Sequence, residues 1–104
     1  MIKVIIERKV IPGAERHYQR AVSHLLSEIQ LAPGYISGET YQELDRPNHF
    51  IVIANWQSLD HWQRWLISRE RRAVVSEISP YMEEEETFMV LERQAYNPIA
   101  QPLE

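Results

Sequence analysis

Three of the four strand-like segments of this chain carry apolar residues on both faces, and that doubled hydrophobicity is the tightest constraint on its fold. Over residues 2–10, Ile2, Val4 and Ile6 point one way and Ile5 the other, beside Lys3, Glu7 and Lys9. Over residues 49–56, Phe50, Val52, Ala54 and Trp56 oppose Ile51 and Ile53. Over residues 86–93, Phe88 and Val90 oppose Met89 and Leu91. Such alternation marks a strand, because successive side chains leave the backbone on opposite sides. A sheet built from these strands needs cover on both faces.

The chain holds helix for one face only. After a turn at Pro12-Gly13, residues 14–31 place Tyr18, Ala21, Val22, Leu25 and Ile29 at three- and four-residue steps. Arg16, Arg20, Ser23, Ser27 and Glu28 fill the opposite side, and Pro33-Gly34 stops this amphipathic helix. Residues 35–44 read as the second strand, closed by the turn Asp45-Arg46-Pro47-Asn48. Ser58 caps a helix to about residue 67, and Ser68 caps another to about residue 78, ended by Ser79-Pro80. The order strand, helix, strand, strand, helix in two pieces, strand is that of a ferredoxin-like α+β sandwich, βαββαβ, with a four-stranded antiparallel sheet. Left wet, its second face would expose more contiguous apolar surface than monomers tolerate. A homodimer, sheet against sheet, is therefore expected. One domain spans residues 1–93, and residues 94–104, with Pro98 and Pro102, read as a C-terminal tail.

Composition narrows the function. A net charge of -4 argues against a nucleic-acid partner, since phosphate binding needs a basic surface. The absence of cysteine excludes disulfides, thiolate metal sites and a thiol nucleophile. No apolar run is long enough to span a membrane and residues 1–10 lack a signal-peptide core, so a cytoplasmic location without membrane association is expected. Three glycines leave a nucleotide fingerprint nothing to stand on, and no metal motif is visible, so neither a cofactor nor a metal is expected.

All three tryptophans lie within residues 55–71. Trp62 shares a helical stripe with Leu59 and Leu66 and reads as core. Trp65 falls at the edge of that stripe, where it either packs or flanks an aromatic ligand at the mouth of a helix–sheet cleft. Asn55, at a strand end, either caps backbone or polarises a phenol or quinone oxygen. His61, in the first turn of the next helix, is solvated unless it faces a cleft, where it would serve as a base. Glu7 is expected on the face the helices cover, where a carboxylate must be paired, hydrated or protonated. His17, His24 and Glu28 read as a solvated helix face rather than a metal site. Arg69, Arg71 and Arg72 read as surface charges, with an anionic ligand as the alternative, and the run 83–86 as a solvated connection.

The pattern W-x-S-x-x-x-W-x-x-W-x-x-S-x-x-R, formed by Trp56, Ser58, Trp62, Trp65, Ser68 and Arg71, resembles the helix entry of antibiotic biosynthesis monooxygenase (ABM) domains. Pro33-Gly34-Tyr35 and the opening strand with Pro12-Gly13 are similar to that family as well. The resemblance implies a dimeric α+β barrel. It implies oxygenation of a small aromatic, polyphenol or quinol-like substrate with O₂ and no cofactor, the substrate's own carbanion or phenolate supplying the electrons. Trp65 would flank the ring, Asn55 would hold its oxygen, and His61 or Glu7 would take the proton. Another branch of the family degrades haem, using an asparagine, a tryptophan and a histidine. Here Trp65 matches the tryptophan, while Glu7 stands at the asparagine position and Val75 at the histidine. The competing expectation is a non-catalytic binding or dimerisation module, whose helix–sheet space would be filled by Tyr18, Leu25, Trp62 and Ile78.

Overall fold

Strand β1 (Ile2–Lys9) lies inside the sheet, and buried side chains alternate along it with exposed or half-buried ones. A computed structural model describes residues 1–94; of the expected tail only Gln94 falls within it, and residues 95–104 lie outside the described residues. The other elements are α1 (Glu15–Ile29), β2 (Tyr35–Gln42), β3 (His49–Trp56), α2 (Leu59–Leu66), α3 (Arg69–Ile78), a short 3₁₀ turn (Ser79–Tyr81) and β4 (Thr87–Glu92). Strand order is β2-β3-β1-β4, every pair antiparallel, which is the ferredoxin-like α+β arrangement expected from the element order.

Even-numbered residues of β1 and β3 face the helices. Ile2 pairs with Trp56, Val4 with Ala54, Ile6 with Val52 and Arg8 with Phe50. Against them α1 lays Tyr18, Val22, Leu25 and Ile29, α2 lays Trp62 and Trp65, and α3 lays Val74 and Ile78. Burying such side chains is worth about 1.5–3 kcal/mol each and is what holds the layers together.

Among the described residues nothing covers the opposite face. Ile53, Ile5 and Met89 form one row across three strands, flanked by Ile51 and Leu91. Met89 is 57% exposed and Leu91 39% exposed. The two-faced apolar pattern read from the sequence is thus a property of the folded chain.

Gly34 turns the chain from α1 into β2 with φ +86°, a conformation that L side chains adopt only under strain. A Cβ there would also overlap the His61 ring, so the loop fits α2 only with glycine. Gly34→Ala is expected to lower unfolding free energy by about 1–3 kcal/mol, read as a drop in urea midpoint at unchanged m-value.

Candidate functional site

Two serines build the corner at which helix meets sheet. Ser58 Oγ accepts the backbone N–H of His61 and starts α2. Ser68 Oγ accepts the N–H of Arg71 at 3.1 Å and donates to the Trp65 carbonyl at 2.7 Å, tying the end of α2 to the start of α3. Caps of this kind contribute about 1 kcal/mol each. Their positions turn Trp62 and Trp65 toward the sheet, where both meet Trp56. Ring centroids lie 5.9 Å apart for Trp56–Trp62 and 6.3 Å for Trp56–Trp65, with Tyr35 edge-on to Trp56 at 5.4 Å. The Trp56 Nε1 donor is buried in this cluster with no hydrogen-bond partner among the described residues.

The space between helices and sheet is nearly closed. Tyr18, Leu25, Trp62 and Ile78 are all buried, and about 30 Å³ remains among Ile6, Arg8, Trp62, Trp65 and Arg71. That is room for roughly one water. Two larger clefts flank it. One, of about 430 Å³, shares Trp65 with the interior gap and is lined by Leu31, Ala32, Pro33, His61 and Ser68. The other, of about 520 Å³, shares Arg8 and Arg71 with the gap and is walled by Leu66, Val75, Ile78 and Phe88.

In the first cleft His61 Nδ1 lies 2.7 Å from Ser58 Oγ. When Nδ1 carries the proton and donates to that oxygen, Nε2 keeps its lone pair and is the basic atom. In the second, Glu86 joins two guanidinium groups. Arg8 Nε donates to one carboxylate oxygen at 2.9 Å, and Arg71 Nη2 to the other at 2.7 Å. Arg8 Nη1 also donates to the Tyr18 hydroxyl at 3.2 Å. The Arg71 guanidinium carbon sits 5.3 Å from the centre of the Phe88 ring. Burial works to raise the Glu86 carboxyl, but the charges of Arg8 and Arg71 and their hydrogen bonds outweigh it and hold the pKa below the usual carboxylate range.

The four residues singled out from the sequence do not converge. Trp65 and His61 share the 430 Å³ cleft. Asn55 pairs with Lys3 on the uncovered face and donates from Nδ2 to Ser37 Oγ at 3.0 Å. Glu7 is not on the helix-covered face: it pairs with Ile51 and Thr87 on the uncovered one and is exposed. The reason is parity, since Ile2, Val4 and Ile6 turn to the helices and carry Arg8, not Glu7, inward. Glu86 is likewise not a solvated connection, and Arg71 is not a surface charge. A signal for both was present: Arg8 follows the apolar parity of β1, and Glu86 that of Phe88 and Val90. Opposite charges at inward positions of neighbouring strands imply a pair. Arg71, three and seven residues before Val74 and Ile78, shares their helical stripe. His24 contacts Glu77 at 2.9 Å on the exposed surface, and no group of three metal-binding side chains occurs among the described residues. Val75 has no donor atom, so the residues lining the larger cleft do not fit a haem held through that position.

Residues 1–77 match the family model for antibiotic biosynthesis monooxygenase. Protein SchA of Streptomyces halstedii is 22% identical over 81 residues, which cover 78% of this chain and 21% of that protein. The chain thus spans about a fifth of that relative's length. SnoaB, a cofactor-independent oxygenase from Streptomyces nogalater, superposes with a TM-score of 0.78 at 15% identity, covering 93% of this chain and 97% of its own. A conserved protein from Methanosarcina mazei superposes with a TM-score of 0.82 at 18% identity, covering 89% and 92%. At these identities the structural likeness establishes the fold.

The Glu86 carboxylate sets an expectation for acid stability. Above the usual carboxylate range Glu86 is ionised in both folded and unfolded chains, and its stabilisation is complete. As pH falls through that range the unfolded chain takes up the proton first, and the contribution is lost by the time the folded group protonates. Glu86→Gln is expected to cost roughly 3 kcal/mol at pH 7 and to flatten the acid limb of a urea-midpoint versus pH curve.

Proposed function

Since the chain belongs to the antibiotic biosynthesis monooxygenase family, we propose that it is a cofactor-independent monooxygenase oxidising a small aromatic, polyphenol or quinol-like substrate with O₂. One geometric fact supports the site: Trp65 and His61 line the same 430 Å³ cleft, and Trp65 also borders the interior gap. That volume is within the range of small-molecule sites. Leu31, Ala32 and Pro33 give the cleft an apolar wall on which, with the Trp65 ring, a flat substrate lies, while Glu28, Arg64 and Glu70 line the rest.

In this reading His61 Nε2 takes a proton from an activated C–H, the imidazolium being steadied by Ser58 at Nδ1. The resulting carbanion gives its electrons to O₂ and a C–O bond forms to a peroxide. The proton returns to the distal oxygen, His61 then removes the second hydrogen from the same carbon, and the electrons of that C–H bond form C=O as the O–O bond breaks and the departing hydroxide takes up that proton. One oxygen leaves as water, and the other remains as a carbonyl. A CH₂ group and O₂ thus become C=O and H₂O, with no outside reductant. Asn55 and Glu7, on the other side of the sheet, have no part in it.

A second reading, a non-catalytic binding or dimerisation module, is favoured by the filled interior, where Tyr18, Leu25, Trp62 and Ile78 occupy the space between helices and sheet. Oxygen uptake against a panel of anthrones and hydroquinones separates the two. An enzyme consumes one O₂ per substrate, loses on the order of 10²-fold in rate on His61→Asn, and slows several-fold on Trp65→Phe. No uptake above buffer across the panel would favour the module, and unchanged turnover in Trp65→Phe would remove that ring from the site.

Both readings include a homodimer in which the uncovered faces pack together, with the row Ile53, Ile5 and Met89 at the centre. Ile53→Asp is expected to convert a dimer to monomers in sedimentation velocity at micromolar concentration. A wild-type monomer under those conditions would sink this assembly.

A further inference from the structure

The imidazole of His61 is gripped from two sides. Ser58 Oγ stands 2.7 Å from Nδ1 and also accepts the backbone N–H of His61 at 3.2 Å, so one oxygen holds both the ring and the start of α2. On the other side the ring meets Gly34. A Cβ on that residue would overlap Cβ, Cγ and Cδ2 of His61, so the bare Cα is the surface against which the imidazole rests. Cβ and Cγ form the root of the side chain, and spinning the ring about the bond between them would not relieve the overlap. Gly34 therefore bears on the edge of the ring that lies across from Nδ1.

The turn that carries Gly34 is itself fixed. The Leu31 N–H donates to the Glu28 carbonyl at 3.0 Å, that of Ala32 to Ile29 at 3.0 Å, and that of Tyr35 to Ala32 at 3.2 Å. The Gln57 N–H donates to the Gly34 carbonyl at 2.8 Å and ties the turn to the chain that enters α2. Leu31, Ala32 and Pro33 of the same turn form the apolar wall of the 430 Å³ cleft. One short segment thus supplies the wall on which a substrate would lie and the rest for the group that would act on it. The distance between wall and imidazole is set inside that segment, not by the packing of separate layers.

A neutral imidazole has one nitrogen that donates and one that accepts, and the hydrogen bond made by the first decides which atom is the base. A histidine free in water favours the proton on Nε2, which would leave that atom a donor with no basicity. We propose that Gly34 is a positioning residue for His61: packed against the ring, it keeps Nδ1–H directed at Ser58 Oγ and leaves the lone pair of Nε2 free. The inference rests on the reading of His61 as the base, and adds to it the turn that fixes which nitrogen is basic. A ring pushed off Gly34 leaves the Ser58 oxygen, and the proton returns to Nε2.

The test is multiple-bond ¹H–¹⁵N NMR of the ring nitrogens in the full chain at about pH 9, above the ordinary imidazole range. Wild-type His61 should show the Nδ1–H tautomer, with an Overhauser contact between its Hδ2 and the Gly34 Hα protons. Gly34→Ala should move roughly half or more of the His61 population to Nε2–H, while His17, stacked on Tyr81 away from this turn, keeps its pattern. A glycine that serves the fold alone would lower stability on substitution and leave the tautomer unaltered, and that result would overturn the proposal. Should Gly34→Ala fail to fold, the wild-type spectrum still decides: an Nε2–H tautomer, or no Gly34–His61 contact, would overturn it as well. Lack of oxygen uptake across the substrate panel would end the oxygenation reading alone, because the tautomer is read in the resting protein without substrate.

Discussion

One carboxylate shared by two buried arginines ties the helical layer to the sheet. Arg8 belongs to β1, Arg71 to the first turn of α3, and Glu86 leads into β4, while the Tyr18 hydroxyl brings in α1. Elsewhere the layers are joined by apolar contact, which is strong but indifferent to small slides. The ion cluster is directional. A shift of α3 by one residue along its axis would carry Arg71 about 1.5 Å from its place and undo a 2.7 Å hydrogen bond. Apolar burial thus supplies the bulk of the cohesion, and the charges set the register in which it is realised.

That cluster also separates what local sequence signals determine from what only the paired strands reveal. The β3 bounds, both serine caps and the inward set Ile2, Val4, Ile6 and Trp62 follow from periodicity and capping chemistry alone, because those signals are local. The uncovered face was legible for the same reason: alternation on three strands cannot be hidden. Glu7 shares its side of β1 with Ile5, and apolar residues on both sides of the strand leave open which one the helices cover; the fold covers the side of Ile2, Val4, Ile6 and Arg8. Glu86 sits in a run of four acidic residues that reads as solvated, yet it stands next to β4 and continues the inward alternation of Phe88 and Val90. Finding the Arg8–Glu86 pair requires setting β1 beside β4, a long-range fact that no local window contains. Asn55 was correctly placed at a strand end, but its odd position on β3 decides the face, and the face takes it away from Trp65.

The family and the packing pull in different directions. Membership in a monooxygenase family raises the expectation of a substrate cavity between helices and sheet, yet the side chains there leave space for about one water. The available volume has moved outward to either side of Trp62 and Trp65. In such an arrangement the core rings are walls shared between inner and outer space. A ligand in one cleft would press on side chains that also face the gap, through Trp65 on one side and Arg71 on the other.

The three indoles have an optical consequence. Trp56 stands within 6.3 Å of both Trp62 and Trp65, and the chain contains no other tryptophan. At such separations excitation passes among the rings faster than it is emitted, so the cluster radiates as one unit, from whichever ring lies lowest in energy. The tryptophan emission of this protein is accordingly the emission of a single corner, where α2 meets the sheet and where one ring borders a cleft. Light absorbed by any of the three becomes a gauge of that corner, built into the chain without a label.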